Sequence, residues 1–200
     1  FWGKNNLVLK GAGPGYAHLD ANNTAYGGKA IWVIGGQNTR VENIEFSRCT
    51  VVDKNGAGIR QEGMNLNVTH CYFHDNENGI LAGDNAGSKI VIEQSEFAFN
   101  GYGDGLSHNL YINHIDTLVF QYNYSHDANV GHELKSRAKS HYILYNRISS
   151  EQGTDSRNID LPNGGQTFLI GNIINQQQNS QNNNIIGYGL EGLANAAFNE

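Results

Sequence analysis

Cysteine is nearly absent: Cys49 and Cys71 are the two in 200 residues, too few for a disulfide framework. The repeat described below sets them several positions apart along the strand, which argues against a bridge between them. Basic charge is also scarce. Thirteen Lys and Arg against 19 Asp and Glu give a formal net charge of −6, so no cationic surplus exists to cover phosphates, and a general nucleic-acid binder is excluded. No apolar run approaches the roughly 18 residues a membrane-spanning helix needs. The chain begins at Phe1 with neither an initiator Met nor a signal-peptide pattern, as expected of a mature or trimmed product. No feature of the sequence assigns an oligomeric state.

Asn and Gly are abundant instead, at 28 and 25 residues of 200. Both are poor formers of helix and strand but are at home in turns and at positive φ, so an all-helical bundle is excluded. Ten Tyr and eight Phe, with many Ile, Val and Leu, exceed what a disordered chain carries. The length is that of one domain with a substantial core. Many short strands joined by Asn/Gly turns are therefore expected.

A repeat organises those strands. Val41–Phe46, Val68–Phe73, Ile92–Phe97, Phe120–Ser125, Ile143–Ile148 and Leu169–Ile174 share one short pattern, with first positions 27, 24, 28, 23 and 26 residues apart. Its fourth position runs Ile44, Cys71, Ser95, Asn123, Asn146, Asn172, and the stacked Asn are expected to pair amide to amide inside the molecule. A second strand recurs between these segments, beginning at Gly58, Gly79, Asn109, Glu133, Asn158 and Ile185. Successive copies run in one direction with turns too short for crossover helices, which a continuously winding coil allows. The Gln176–Asn184 tract is read as a polar turn of this coil. Gly11-Ala-Gly-Pro-Gly15 lacks the Lys-Ser/Thr of a phosphate loop and is read as a turn.

The repeat resembles the right-handed parallel β-helix of the pectate-lyase-like superfamily. The resemblance covers essentially the whole chain and implies an all-β solenoid of about 6–8 coils of roughly 23–28 residues; handedness comes from the resemblance. Residues 1–200 read as a single β-helix domain that enters and leaves in mid-coil, and such a solenoid needs capped ends, so a longer parent chain is expected.

Alternation along the second strand turns Ile59, Ile80, Leu110, Ile112, Leu134, Ile159 and Leu161 inward. Their neighbours are then expected outward. Tyr111, Lys135 and Asp160 form one column, Asn113 and Arg137 the next, and Asn109, Glu133 and Asn158 flank them, with Arg60 further along. Long turns at 100–108 and 125–132 open beside them and bring His108, His114, His126 and His132 to the same stretch.

Stacked basic, amide and aromatic side chains suit an extended, carboxylate-bearing polymer such as a uronic acid glycan. β-Elimination needs a cation for the carboxylate, a base for the C5 proton and an acid for the leaving oxygen. Arg137, with Arg60 or Arg157, fits the first part. Lys135 fits the second and Tyr111 the third, with His108 and His132 as substitutes. Asn109, Asn113, Arg60, Glu133, Asn158, Asp160 and His126 are the expected substrate-binding set. The resemblance includes lyases with bound calcium; no compact acidic run reads as such a site, so calcium is left open and no metal ligand is assigned. No HxxxH or HExxH spacing supports zinc. His70, His74 and His141 read as structural.

The expectation is a secreted or periplasmic polysaccharide lyase. Its rivals are a C5 uronate epimerase, a glycoside hydrolase using Asp160 with Glu133 or Asp104, and a non-catalytic stalk or glycan-binding module. A plainer reading makes Lys135 and Arg137 a solvated ion-pair face with Glu133. It makes Tyr111 exterior packing.

Overall fold

A computed structural model describes residues 1–195. Short parallel strands wind into a β-solenoid of about six turns, and no helix occurs among the described residues. Each turn contributes one strand to each of three sheets. The first sheet stacks Val8–Lys10, Thr39–Glu42, Leu66–Thr69, Asn85–Glu93, Ile115–Gln121, Ser140–Leu144 and Gln166–Ile170. The second stacks Ala17–Thr24, Ile44–Cys49, Tyr72–His74, Glu96–Ala98, Tyr124–His126, Arg147–Ser149 and Ile173–Asn175. The third stacks Ala30–Ile34, Ala57–Gln61, Asn78–Ala82, Leu110–Ile112, Leu134–Ser136, Ile159–Leu161 and Ile186–Tyr188.

The interior follows from period-two alternation. Ile59, Ile80, Leu110, Leu134 and Ile159 lie fully buried in one core with Ile90, Leu118 and Ile143 of the first sheet. Phe46, Phe73 and Phe97 of the second sheet stack ring on ring, with centroids 4.8 and 4.9 Å apart. Stacking at the strand spacing adds to their area burial. Cys49 and Cys71 are free and buried, and burial pushes both thiols up to about 12, which leaves them unreactive.

The expected Asn column is a continuous ladder. The backbone N–H groups of Ser95, Asn123 and Asn146 each donate to the side-chain oxygen one coil on, at 2.9 Å in every case. Asn123, Asn146 and Asn172 donate their Nδ2 to the carbonyls of Ile92, Phe120 and Ile143 at 2.9, 2.8 and 2.7 Å. The chain bends between the first and second sheets, where backbone groups leave the strand ladders. The amides satisfy them there.

A second amide ladder lies at the bend between the second and third sheets, and it overturns part of the outward register. Asn76 donates to Asn100 at 3.0 Å, Asn100 donates to Asn109 at 2.9 Å, and Asn109 donates in turn to Glu133. Asn109, Glu133 and Asn158 have no exposed surface. All three immediately precede the strands Leu110–Ile112, Leu134–Ser136 and Ile159–Leu161. Alternation holds within a strand and fails at a bend, where the side chain turns inward to serve the backbone. These three residues therefore cannot touch a polymer lying on the outer surface.

Candidate functional site

The predicted column exists. Across the third sheet Tyr111 is in register with Leu81 on one side and Lys135 on the other, and Lys135 with Asp160. Arg137 and Asn113 follow one residue beyond the paired Ile112 and Ser136, so their side chains share the outer face of Tyr111 and Lys135. Three cations thus stand close together on a rigid surface. Lys135 Nζ lies 3.6 Å from the Asp160 carboxylate, and Arg157 lies 3.8 Å from its other oxygen. Arg137 donates Nε to the Tyr111 hydroxyl oxygen at 3.1 Å and Nη1 to Asn163 at 2.9 Å.

Sequence reasoning missed Glu191. It sits in the turn after Ile186–Tyr188, anchored by its own N–H to the Pro162 carbonyl at 2.9 Å. Its carboxylate reaches back over the sheet. One oxygen lies 3.3 Å from Lys135 Nζ and the other 2.6 Å from Arg137 Nη2. Burial acts to raise its pKa, but the hydrogen bond from Arg137 and the charge of Lys135 prevail and hold the carboxyl below the usual range. An anionic carboxylate is thus clamped between two cations.

His108 and His132 flank the column as expected, and their chemistry differs from the expectation. The rings stack with centroids 4.9 Å apart. His132 donates its backbone N–H to His108 Nδ1 at 3.0 Å, and Arg157 donates its own to His132 Nδ1 at 3.2 Å. A nitrogen that accepts a backbone N–H carries no proton, so both rings are neutral with the proton on Nε2. Burial drives both values down, His108 well below the ordinary value and His132 to about 3. A ring whose free nitrogen already bears a proton is a hydrogen-bond donor. The role of base does not fit either histidine.

Asp160 is buried beneath the cations, and burial raises its pKa, outweighing Lys135 and Arg157. Glu133 is held on the interior side by the Ala128 N–H at 2.9 Å and by Asn109. Burial pushes its carboxyl well above the ordinary range. Two carboxyls on opposite sides of the sheet cannot flank one glycosidic bond, and the Asp160–Glu133 pair fails as a hydrolase site. The ion pairing expected of Glu133 with Lys135 and Arg137 fails for the same reason.

Of the remaining candidates, Arg60 and Asn113 join the groove. They line a cavity of about 320 Å³ with Lys54, Leu81, Asp104 and Tyr111, next to the cation cluster, and Arg60 pairs with Glu62 at 2.6 Å. His126 does not join it. It lies on the second sheet, pairing with Glu96 and Asp127 at 3.2 and 2.8 Å. His114 is held at an exposed turn by Asp84 at 2.7 Å. A roomier depression of about 610 Å³ lies against Lys10–Pro14, Glu42 and His70. It gathers no cation cluster of this kind.

No family model, no curated protein and no solved structure matches this chain.

Proposed function

We propose that the outer face of the third sheet binds an acidic, uronic-acid-containing polysaccharide and cleaves it by β-elimination, as the likeness to pectate-lyase-like β-helices suggests. One observation carries the reading: Glu191 is clamped between Lys135 and Arg137, so the groove already accommodates a carboxylate where a uronate would offer its own. A polymer segment displaces Glu191, and Arg137 neutralises the incoming carboxylate with its planar fork. Tyr111 accepts from Arg137 Nε, so its own O–H is free to point into the groove as the acid for the leaving oxygen. Lys135, whose Nζ loses its contact with Glu191 when the polymer binds, takes the C5 proton on its nitrogen lone pair. The C5–H electrons form the new double bond as the glycosidic C–O bond breaks. His132 directs its Nε2 toward the buried Asp160 carboxylate, 3.5 Å away, beneath the groove. Such polymers lie outside the cytoplasm, which is why a secreted or periplasmic location accompanies this reading.

The test is incubation with a panel of uronate polymers while following the ultraviolet absorbance of an unsaturated uronate. New absorbance supports the lyase, and silence across the panel overturns it. Solvent deuterium entering the polymer without absorbance identifies the epimerase, which removes the same proton. Reducing ends without absorbance identify a hydrolase. Lys135→Arg keeps the charge but loses the amine, so lost turnover with retained binding assigns Lys135 as the base.

A further inference from the structure

The second sheet carries a separate cluster on a different face from the groove. His18 and Glu45 are register partners on adjacent strands, and His74 follows two residues beyond Glu45's partner Tyr72. Glu45 Oε1 lies 2.9 Å from His74 Nε2 and 3.5 Å from His18 Nε2, and the three donor atoms all lie within 4.8 Å of one another. Tetrahedral zinc, with bonds of about 2.0–2.2 Å, needs donors about 3.3 Å apart. Closing the remaining gap moves His18 Nε2 off the Ser47 hydroxyl, which it meets at 2.7 Å, toward Glu45; the His18 side chain is 45% exposed. Behind the donors, Asp75 accepts from His74 Nδ1 at 2.7 Å. That is the carboxylate–histidine arrangement that orients an imidazole toward a metal.

The solenoid contains its own control. Two coils on, Glu96, His126 and Asp127 repeat the Glu–His–Asp set, with His126 Nε2 3.2 Å from Glu96 and Nδ1 2.8 Å from Asp127. Glu96 has Tyr72 as its register partner where Glu45 has His18. The second set therefore lacks the third donor.

We propose that His18, Glu45 and His74 form a binding site for one borderline divalent transition metal, with Zn²⁺ the best match to two imidazoles and one carboxylate. Three protein donors leave a fourth position for water or a ligand oxygen. The site lies apart from Lys135 and Arg137, so it stands or falls independently of the lyase reading.

The test is calorimetric titration of the chelator-treated chain with Zn²⁺, paired with the visible spectrum of the Co²⁺ form. One ion per chain is expected, with tetrahedral Co²⁺ bands. His18→Ala should abolish the saturable binding, Asp75→Asn should weaken it about 10- to 100-fold, and His126→Ala should leave it unchanged. His18 is half exposed on the surface, and a melting curve of each variant checks that it is folded. Absence of saturable Zn²⁺ binding overturns the proposal. So does binding that survives His18→Ala, or that is lost equally in His126→Ala.

Discussion

Single residues in this chain divide by which side of a strand they serve. Glu133 accepts from the Ala128 N–H and the Asn109 amide inside the coil. Glu133→Gln keeps an acceptor for one of these two donors and turns its own N–H groups toward the other, so it should lose less stability than Glu133→Ala. Glu133→Ala leaves buried donors unsatisfied at about 1–3 kcal/mol each, and chemical denaturation should report a loss of that size. Equal stability of the Ala and Gln variants would show that the buried amide network carries no weight. Glu191 is the opposite case, a surface carboxylate competing for the groove's cations. Its two partly exposed ion pairs are worth up to ~1 kcal/mol each, so Glu191→Gln should tighten binding of a uronate oligosaccharide on the order of tenfold. Calorimetry on both forms decides this, and weaker binding by Glu191→Gln would place Glu191 among the groups that hold the substrate.

At the scale of the element, the bends explain both what the sequence discloses and what it hides. The Tyr111–Lys135–Asp160 column follows from alternation and repeat spacing because all three residues lie within strands, where the pleat fixes direction. The inward turn of Asn109, Glu133 and Asn158 is hidden because each stands at a bend, and bends obey hydrogen-bond demand rather than alternation. Glu191 is hidden for another reason. It meets Arg137 and Lys135 across 54 and 56 residues, through the path of a turn that no periodicity encodes. The His18–Glu45–His74 set was legible in principle, since extending the repeat upstream to Ala17-His18 aligns His18 with Glu45. The same bends yield a graded prediction. Asn146 accepts from Asn123 and donates to Phe120 and Asn172 within the buried ladder, whereas Asn172 is partly exposed on the last rung. Asn146→Ala should cost several kcal/mol, at about 1–3 kcal/mol per orphaned group. Asn172→Ala should cost less. Urea unfolding of the two variants measures the difference, and equal losses would argue against end-to-end grading of the ladder.

The whole molecule buries more neutral imidazole than its charge balance suggests, and this makes its stability depend on pH. His108, His132 and His141 are all held neutral by burial, His132 down to about 3 and His141 to about 4. In the unfolded chain each regains an ordinary value near 6.5. Their contribution is thus fully present above about pH 6.5 and is lost as pH falls toward the folded values, because the unfolded state then binds protons that the native state refuses. Three groups act in the other direction. Glu133 and Asp160, both raised by burial, take up a proton in the native state before the unfolded chain does. His126 is raised, since its bonds to Glu96 and Asp127 outweigh burial. The His126 contribution is complete once pH falls below about 6.5. Below about pH 6 three refused imidazole protons therefore face the two carboxyl protons of Glu133 and Asp160, and stability should decline on acidification. One variant isolates the cause. His141 is fully buried between Ser136 and Thr167, at 3.1 and 3.2 Å, away from both proposed sites. His141→Gln removes one refused proton, so between about pH 6 and pH 4 its stability should fall less steeply than that of the parent, by about 1.4 kcal/mol per pH unit. Denaturant titrations across that range give both slopes, and parallel slopes would mean that His141 is already protonated in the folded solenoid.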